Sequence, residues 1–263
     1  MEQALRLDPR AVFNWVEFSQ TLNYLHRFEA SRQALLEANR LDPTNFYVKL
    51  QASDLAINAE GDIDTALRVT TGVQHTGEPI SIPVYVEIRQ LARQFEEALV
   101  AAQAMPEAVE VQRAKILVRE ELLAMTHFLA GEREAAKEAA DAAWFRLQNM
   151  RQTLGDDYRI LHAEVTVAAL RGDPPESLKE RIERAIDARP SDAVEEMIQD
   201  WEISRALGLA GMAEEVTSWL STRLEAPSFY TARRVTLDPA FDTVREDLAF
   251  AAMLERQLRG DSG

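Results

Sequence analysis

Along most of the chain, apolar positions recur every three or four residues, the spacing that gathers them on one face of a helix. Each such stretch runs into a short turn, and a second amphipathic stretch follows. Gly61-Asp62, Gly131-Glu132, Gly172-Asp173 and Gly211-Met212 are turns of this kind. Glycine there lets a helix end in the left-handed conformation without a Cβ clash. The pattern predicts paired helices at Leu117–Ala130 with Glu132–Thr153, Asp157–Arg171 with Glu176–Ala188, and Asp192–Ala210 with Ala213–Leu224. Between residues 76 and 130 the rhythm is looser. Gly77-Glu78-Pro79 and Pro83 interrupt it, Val84–Gln103 reads as one long helix, and Met105-Pro106 starts another running to about Ala130. No segment sustains period-two alternation, so essentially no strand is expected.

Self-similarity sharpens this picture. Ala4-x-Arg6-Leu7-Asp8-Pro9 returns as Ala38-x-Arg40-Leu41-Asp42-Pro43, a spacing of 34 residues (43 − 9). Between them lies one complete helix–turn–helix unit from Val12 to Pro43. Trp15, Phe18, Leu22 and Leu35 are its large apolar positions, and Ser19, Ser31 and Ala38 its small ones. With Pro43 closing the unit, this arrangement resembles the tetratricopeptide repeat family, most clearly over residues 4–75. The small residues suit a close helix crossing, and Pro43 has no N–H with which to continue a helix. The resemblance implies an all-α fold, a right-handed α-α superhelical solenoid in which each pair leans on its neighbours. The organisation expected is tetratricopeptide-like repeats over 1–75, an irregular long-helix segment over 76–130, degenerate pairs over 131–225, and a capping segment over 226–263.

The last stretch carries a second resemblance. Trp219-Leu220, Pro227, Leu237-Asp238-Pro239, Phe241-Asp242, Arg245-x-Asp247 and Phe250 are similar to the module closing repeat regions in bacterial adenylate cyclases, serine/threonine kinases and winged-helix regulators. Leu248-Ala249 departs from that pattern, which has Pro-Arg before the Phe. The family's ligand-facing places on the first helix of a repeat fall here on Phe13, Val16, Gln20, Asn23 and Tyr24. In looser register they extend to Asn58, His162, Trp201 and Arg205. The resemblance implies that these residues bind an extended peptide on a concave face. Val16 and Gln20 stand where chaperone-tail binders carry the Lys and Asn of a carboxylate clamp, so that subtype is not expected.

Charge narrows the partners. Acids outnumber bases 44 to 29, for a net charge of −15. Such a field disfavours direct binding of nucleic acid, which needs clustered cations, and steers basic peptides or protein faces toward the chain. No run is long and apolar enough to span a membrane, and no signal peptide is readable at the N-terminus. The chain has no Cys, which excludes disulfides and thiolate chemistry and suits a cytoplasmic location. Nearly all the bases are Arg, with lysine only at Lys49, Lys115, Lys137 and Lys179, as GC-rich bacterial coding would produce.

Motifs for chemistry are missing. His26, His75, His127 and His162 have no ligand spacing, so no metal is expected, and His127 reads as a core histidine. No phosphate-cradling glycine loop or nucleophile elbow occurs, so no cofactor and no enzyme activity are expected. The acid pairs Glu96-Glu97, Glu120-Glu121, Asp156-Asp157, Glu195-Glu196 and Glu214-Glu215 read as solvated helix faces. Function then reads as protein–protein interaction, in the regulatory region of a larger bacterial signalling or transcriptional protein. The alternative is a small-molecule or peptide sensor using the concave groove. Because MEQALRLDPR is the tail of a repeat lacking its first helix, an exposed N-terminal face and weak homodimerisation through it are also expected.

Overall fold

In the computed structural model, which describes residues 2–111 and 114–260, two small residues fix the first helix crossing. Ser19 on α2 (Val12–Tyr24) and Ser31 on α3 (Phe28–Leu41) bring their hydroxyls to 2.9 Å, and each also donates to the other's backbone carbonyl. Both are fully buried. Any larger pair would push the helices apart, so the serines set the separation and satisfy their own polar groups there. Ahead of them, the short α1 (Glu2–Leu7) leaves Leu7 81% exposed.

The same unit recurs along the chain. The pairs are α4 (Phe46–Glu60) with α5 (Ile63–Val69), α6 (Ser81–Leu91) with α7 (Phe95–Gln103), and α8 (Arg119–Leu129) with α9 (Arg133–Leu154). Then come α10 (Tyr158–Arg171) with α11 (Pro175–Ala188), and α12 (Ala193–Leu209) with α13 (Ala213–Arg223). The first helices of successive pairs also touch one another, α2 on α4, α6 on α8, α8 on α10 and α10 on α12. Helix starts are capped by side chains where a polar residue stands free to do so. Asn45 accepts from Tyr47 N–H, Asp157 from Arg159 N–H, and Asp192 from Val194 and Glu195 N–H.

The turns explain one departure from the sequence reading. Gly131 and Gly211 take positive φ, and the following N–H reaches back to a carbonyl five residues earlier: Glu132 to His127, Met212 to Leu207. His26 (φ 54°) and Arg93 (φ 59°) occupy the same slot with the same bonds, Arg27 to Leu22 and Gln94 to Arg89. Arg93 therefore breaks Val84–Gln103 into α6 and α7 where a single helix was expected. No glycine announces the break.

The expected absence of strands is also corrected. Where a helix from Met105-Pro106 was expected, β1 (Ala108–Val111) pairs antiparallel with β2 (Lys115–Val118), setting Ala108 opposite Val118 and Val111 opposite Lys115. β-Branched Val109, Val111, Ile116 and Val118 favour the pleated form. All of β2 is buried, so it shows an unbroken apolar run after Lys115 rather than alternation. His127 is corrected as well: half-buried, it pairs its Nδ1 with Glu132 at 2.6 Å instead of sitting in the core.

After α13 the chain doubles back. Residues 226–231 run without helix to α14 (Ala232–Leu237), and a 3-10 turn at Pro239–Phe241 leads to α15 (Leu248–Gly260). α15 covers α13, burying Phe250 and Met253, while α14 reaches across to α4. The 3-10 turn lies so close to α12 that a Cβ at Gly208 would meet the Ala240 carbonyl oxygen at 2.7 Å and the Phe241 ring at 2.8 Å. Trp201, Tyr230, Phe241 and Phe250 join in one aromatic cluster, with Trp201 stacked on Tyr230 at 5.0 Å between centroids.

Candidate functional site

The returning segment lies against the first helices of the early pairs. Ser228 N–H donates to the Tyr24 carbonyl at 2.8 Å, and the Asn58 side-chain amide donates to the Phe229 carbonyl at 2.6 Å. Thr231 hydroxyl returns a bond to the Asn58 carbonyl at 3.0 Å. Phe229 packs its ring between Tyr24 and Trp201. The surface expected to receive an extended peptide thus carries the chain's own residues 228–231.

Beside this segment is a cavity of about 170 Å³. α2 supplies Gln20 and Tyr24, α4 Leu50 and Asp54, α6 Val84, Glu87 and Gln90, and α8 Glu121, Leu122 and Met125. Ile198, Trp201, Glu202 and Arg205 of α12 face them, with Lys115 and Leu117 from the hairpin. Phe229 and Arg234 close the wall. Its lining combines apolar side chains with an unusual density of buried charge.

That charge is arranged in three groups. Lys115 Nζ lies 2.6 Å from Glu121 and 2.8 Å from Glu202. Arg234, 3% exposed, donates to Asp54 at 3.2 Å and to Glu87 at 2.7 Å. Arg205 Nε lies 2.9 Å from Asp238. Burial works to neutralise the Lys115 ammonium, but the two glutamates more than offset it and hold it above the ordinary lysine range. Burial raises Glu121 to about 7 despite Lys115 beside it. Glu202 is also opposed by burial, yet Lys115 and Arg205 together bring it below its usual range. Burial also raises Asp54 and Asp238, against the pull of Arg234 and Arg205, so the site sets carboxyls pushed up by burial beside a Lys115 ammonium and a Glu202 carboxylate that are held charged.

Several polar atoms in this wall are buried with no hydrogen-bond partner among the described residues: Glu121 Oε2, Trp201 Nε1 and Arg205 Nη2. Among the described residues, no group of three or more His, Cys, Asp or Glu side chains could hold a metal ion. No described helix is long and apolar enough to cross a membrane.

Of the residues singled out from sequence, Gln20, Tyr24, Trp201 and Arg205 come together at the cavity. Phe13 is 61% exposed and apart from it, and Val16 packs with Ala38 and Val48 in a small core cluster. Asn23 is buried with its amide unpartnered among the described residues, and Asn58 is taken up by Phe229. His162 is buried on α10, where desolvation lowers it to about 4, outside the cavity lining.

Sequence reasoning missed Lys115, Glu121, Glu202 and Arg234. Glu121 was expected on a solvated face, and the structure corrects this: it is 2% exposed, as Glu195 is also buried. The missed strand is the reason, because β2 turns α8 so that Glu121 faces Lys115. One signal was present, a lysine within the apolar run Ala114–Val118 of a chain that has only four. The chain matches no protein-family model and no curated protein.

Proposed function

We propose that the chain is a non-catalytic, tetratricopeptide-like solenoid acting as an interaction scaffold in a larger bacterial signalling or transcriptional protein. In this reading its inner cavity senses a small molecule. The serine-set crossing of α2 and α3 and the recurring helix pairs support the scaffold reading. One observation carries the sensing role: residues 228–231 lie against the surface where a peptide would dock, and beside them is a cavity of about 170 Å³. Because α2, α4, α6, α8 and α12 all contribute to its wall, a ligand held there bears on most of the helix pairs at once and biases their relative packing.

A thermal-shift screen of metabolites on the full chain tests this. At least one compound is expected to raise the unfolding midpoint, and the shift should vanish in Ile198→Phe, which fills the cavity without touching its charges. A screen with no stabilising compound would overturn the sensing role. Chemical turnover of a stabilising compound would overturn the non-catalytic one.

A further inference from the structure

Accessibility divides the charges on the cavity wall by sign. Its cations are buried: Arg234, Lys115 and Arg205 keep 3%, 6% and 8% of their side chains exposed. Three of its carboxylates are more open, Asp54 at 25%, Glu87 at 31% and Glu202 at 17%. Asp54 and Glu202 nevertheless lie deep in the protein, where burial is the largest influence on each. A carboxylate that is both deep and accessible shows its free surface to an internal space, and the cavity is the space that both line. The charge that a ligand meets there is therefore negative.

Pairing leaves that charge in excess. Arg234 is shared by Asp54 and Glu87, Lys115 is shared by Glu121 and Glu202, and Arg205 is taken up by Asp238 outside the lining. Two cations thus serve four lining acids. Beyond the effect of burial, Glu87 raises Asp54 further, as follows where two carboxylates divide one guanidinium. An anionic ligand would add like charge to a partly desolvated site, and a neutral one would leave the excess standing.

The rest of the wall suits a cation with an apolar body. Leu50, Val84 and Ile198 are half-buried there, as are the rings of Tyr24 and Phe229. The chain supplies its own example of a cation on this wall, because Arg234 Cζ lies 5.8 Å from the ring centroids of both Trp201 and Phe229. We infer that the cavity binds a small organic amine, its ammonium among Asp54, Glu87 and Glu202 and its hydrocarbon against Leu50, Val84 and Ile198. This rests on the sensing role proposed above and gives the ligand a chemical class.

Calorimetric titration of the full chain with four probes tests the inference. Pentylamine carries both charge and body, 1-pentanol the body alone, pentanoate the body with the opposite charge, and methylamine the charge with almost no body. Pentylamine is expected to bind at least about tenfold more tightly than each of the others, the scale of one charge-assisted hydrogen bond. Glu87→Gln, which leaves Arg234 its bond to Asp54, should weaken pentylamine by a similar factor. Ile198→Phe should abolish pentylamine binding, and binding that survives it would place the amine on the acidic outer surface and overturn the site. Equal affinity for 1-pentanol or pentanoate would overturn the requirement for positive charge, and equal affinity for methylamine the requirement for an apolar body. The probe series uses the native chain, so its outcome stands even where a variant fails to fold. If none of the four binds while another metabolite stabilises the chain, the amine is wrong and the sensing role stands. If no compound binds at all, both fall.

Discussion

His162 shows how much a single buried side chain reveals about pH. Neither ring nitrogen has a hydrogen-bond partner among the described residues, and desolvation, followed by the charges of Arg189 and Lys115, lowers its pKa from 6.5 to about 4. The unfolded chain therefore binds a proton near pH 6.5 that the folded chain refuses until about 4. The His162 contribution is present above pH 6.5 and is lost as pH falls through that window, by an amount approaching about 3 kcal/mol. Denaturant unfolding of the native chain and His162→Gln across this range should show a difference in stability that narrows steadily toward low pH. Parallel curves would show that the imidazole titrates normally. Nothing in the sequence marks His162 as buried beyond its place on an apolar helix. Gln20, Tyr24, Trp201 and Arg205 were legible because repeat spacing puts them on first helices. Arg234 was not, because its partners Asp54 and Glu87 lie 180 and 147 residues away.

Among the elements, α12 is the one most constrained by what crosses it. Gly208 sits mid-helix, where glycine is ordinarily a weakness, and the Ala240 carbonyl occupies the place of its Cβ. Gly208→Ala gains helix propensity but must displace backbone and the Phe241 ring, so a net loss of about 1–3 kcal/mol is expected in denaturant unfolding. A stabilised variant would mean that the 3-10 turn at Pro239–Phe241 does not rest on α12. The elements also show where sequence patterns stop informing. Helix pairs ending in glycine were readable, whereas the α6–α7 turn was hidden because Arg93 takes the left-handed conformation. Its guanidinium is fixed there by Asp242 at 2.6 and 2.9 Å, a tertiary tie that local propensity cannot register. The β1–β2 hairpin was hidden for the opposite reason, since full burial erased its alternation.

At the scale of the whole molecule, the first pairs depend on the last segment. His26 meets the Ser228 carbonyl, Asn58 the Phe229 carbonyl, and Arg234 the acids of α4 and α6. Tyr230, 1% exposed and stacked on Trp201, anchors that segment. Tyr230→Ala should cost about 3–5 kcal/mol, as loss of a large buried ring does. Hydrogen exchange should report that loss in α2 and α4 as well as near residue 230. Protection lost only around the substitution would show that the segment is an appendage.

The ties between α2, α4, α6 and residues 228–242 also bear on how the chain is made. A linear array of helix pairs can settle pair by pair as it leaves the ribosome, each new pair completing the one before. Here Tyr24, Asn58 and Glu87 wait for partners synthesised 147 to 204 residues later, so the earliest pairs emerge with an unfinished wall. Loops of that length are slow to close. Synthesis to the C-terminal segment is thus the event that completes the cavity wall, and a nascent chain halted before residue 228 has α1 to α13 but not the Phe229 and Arg234 side of that wall.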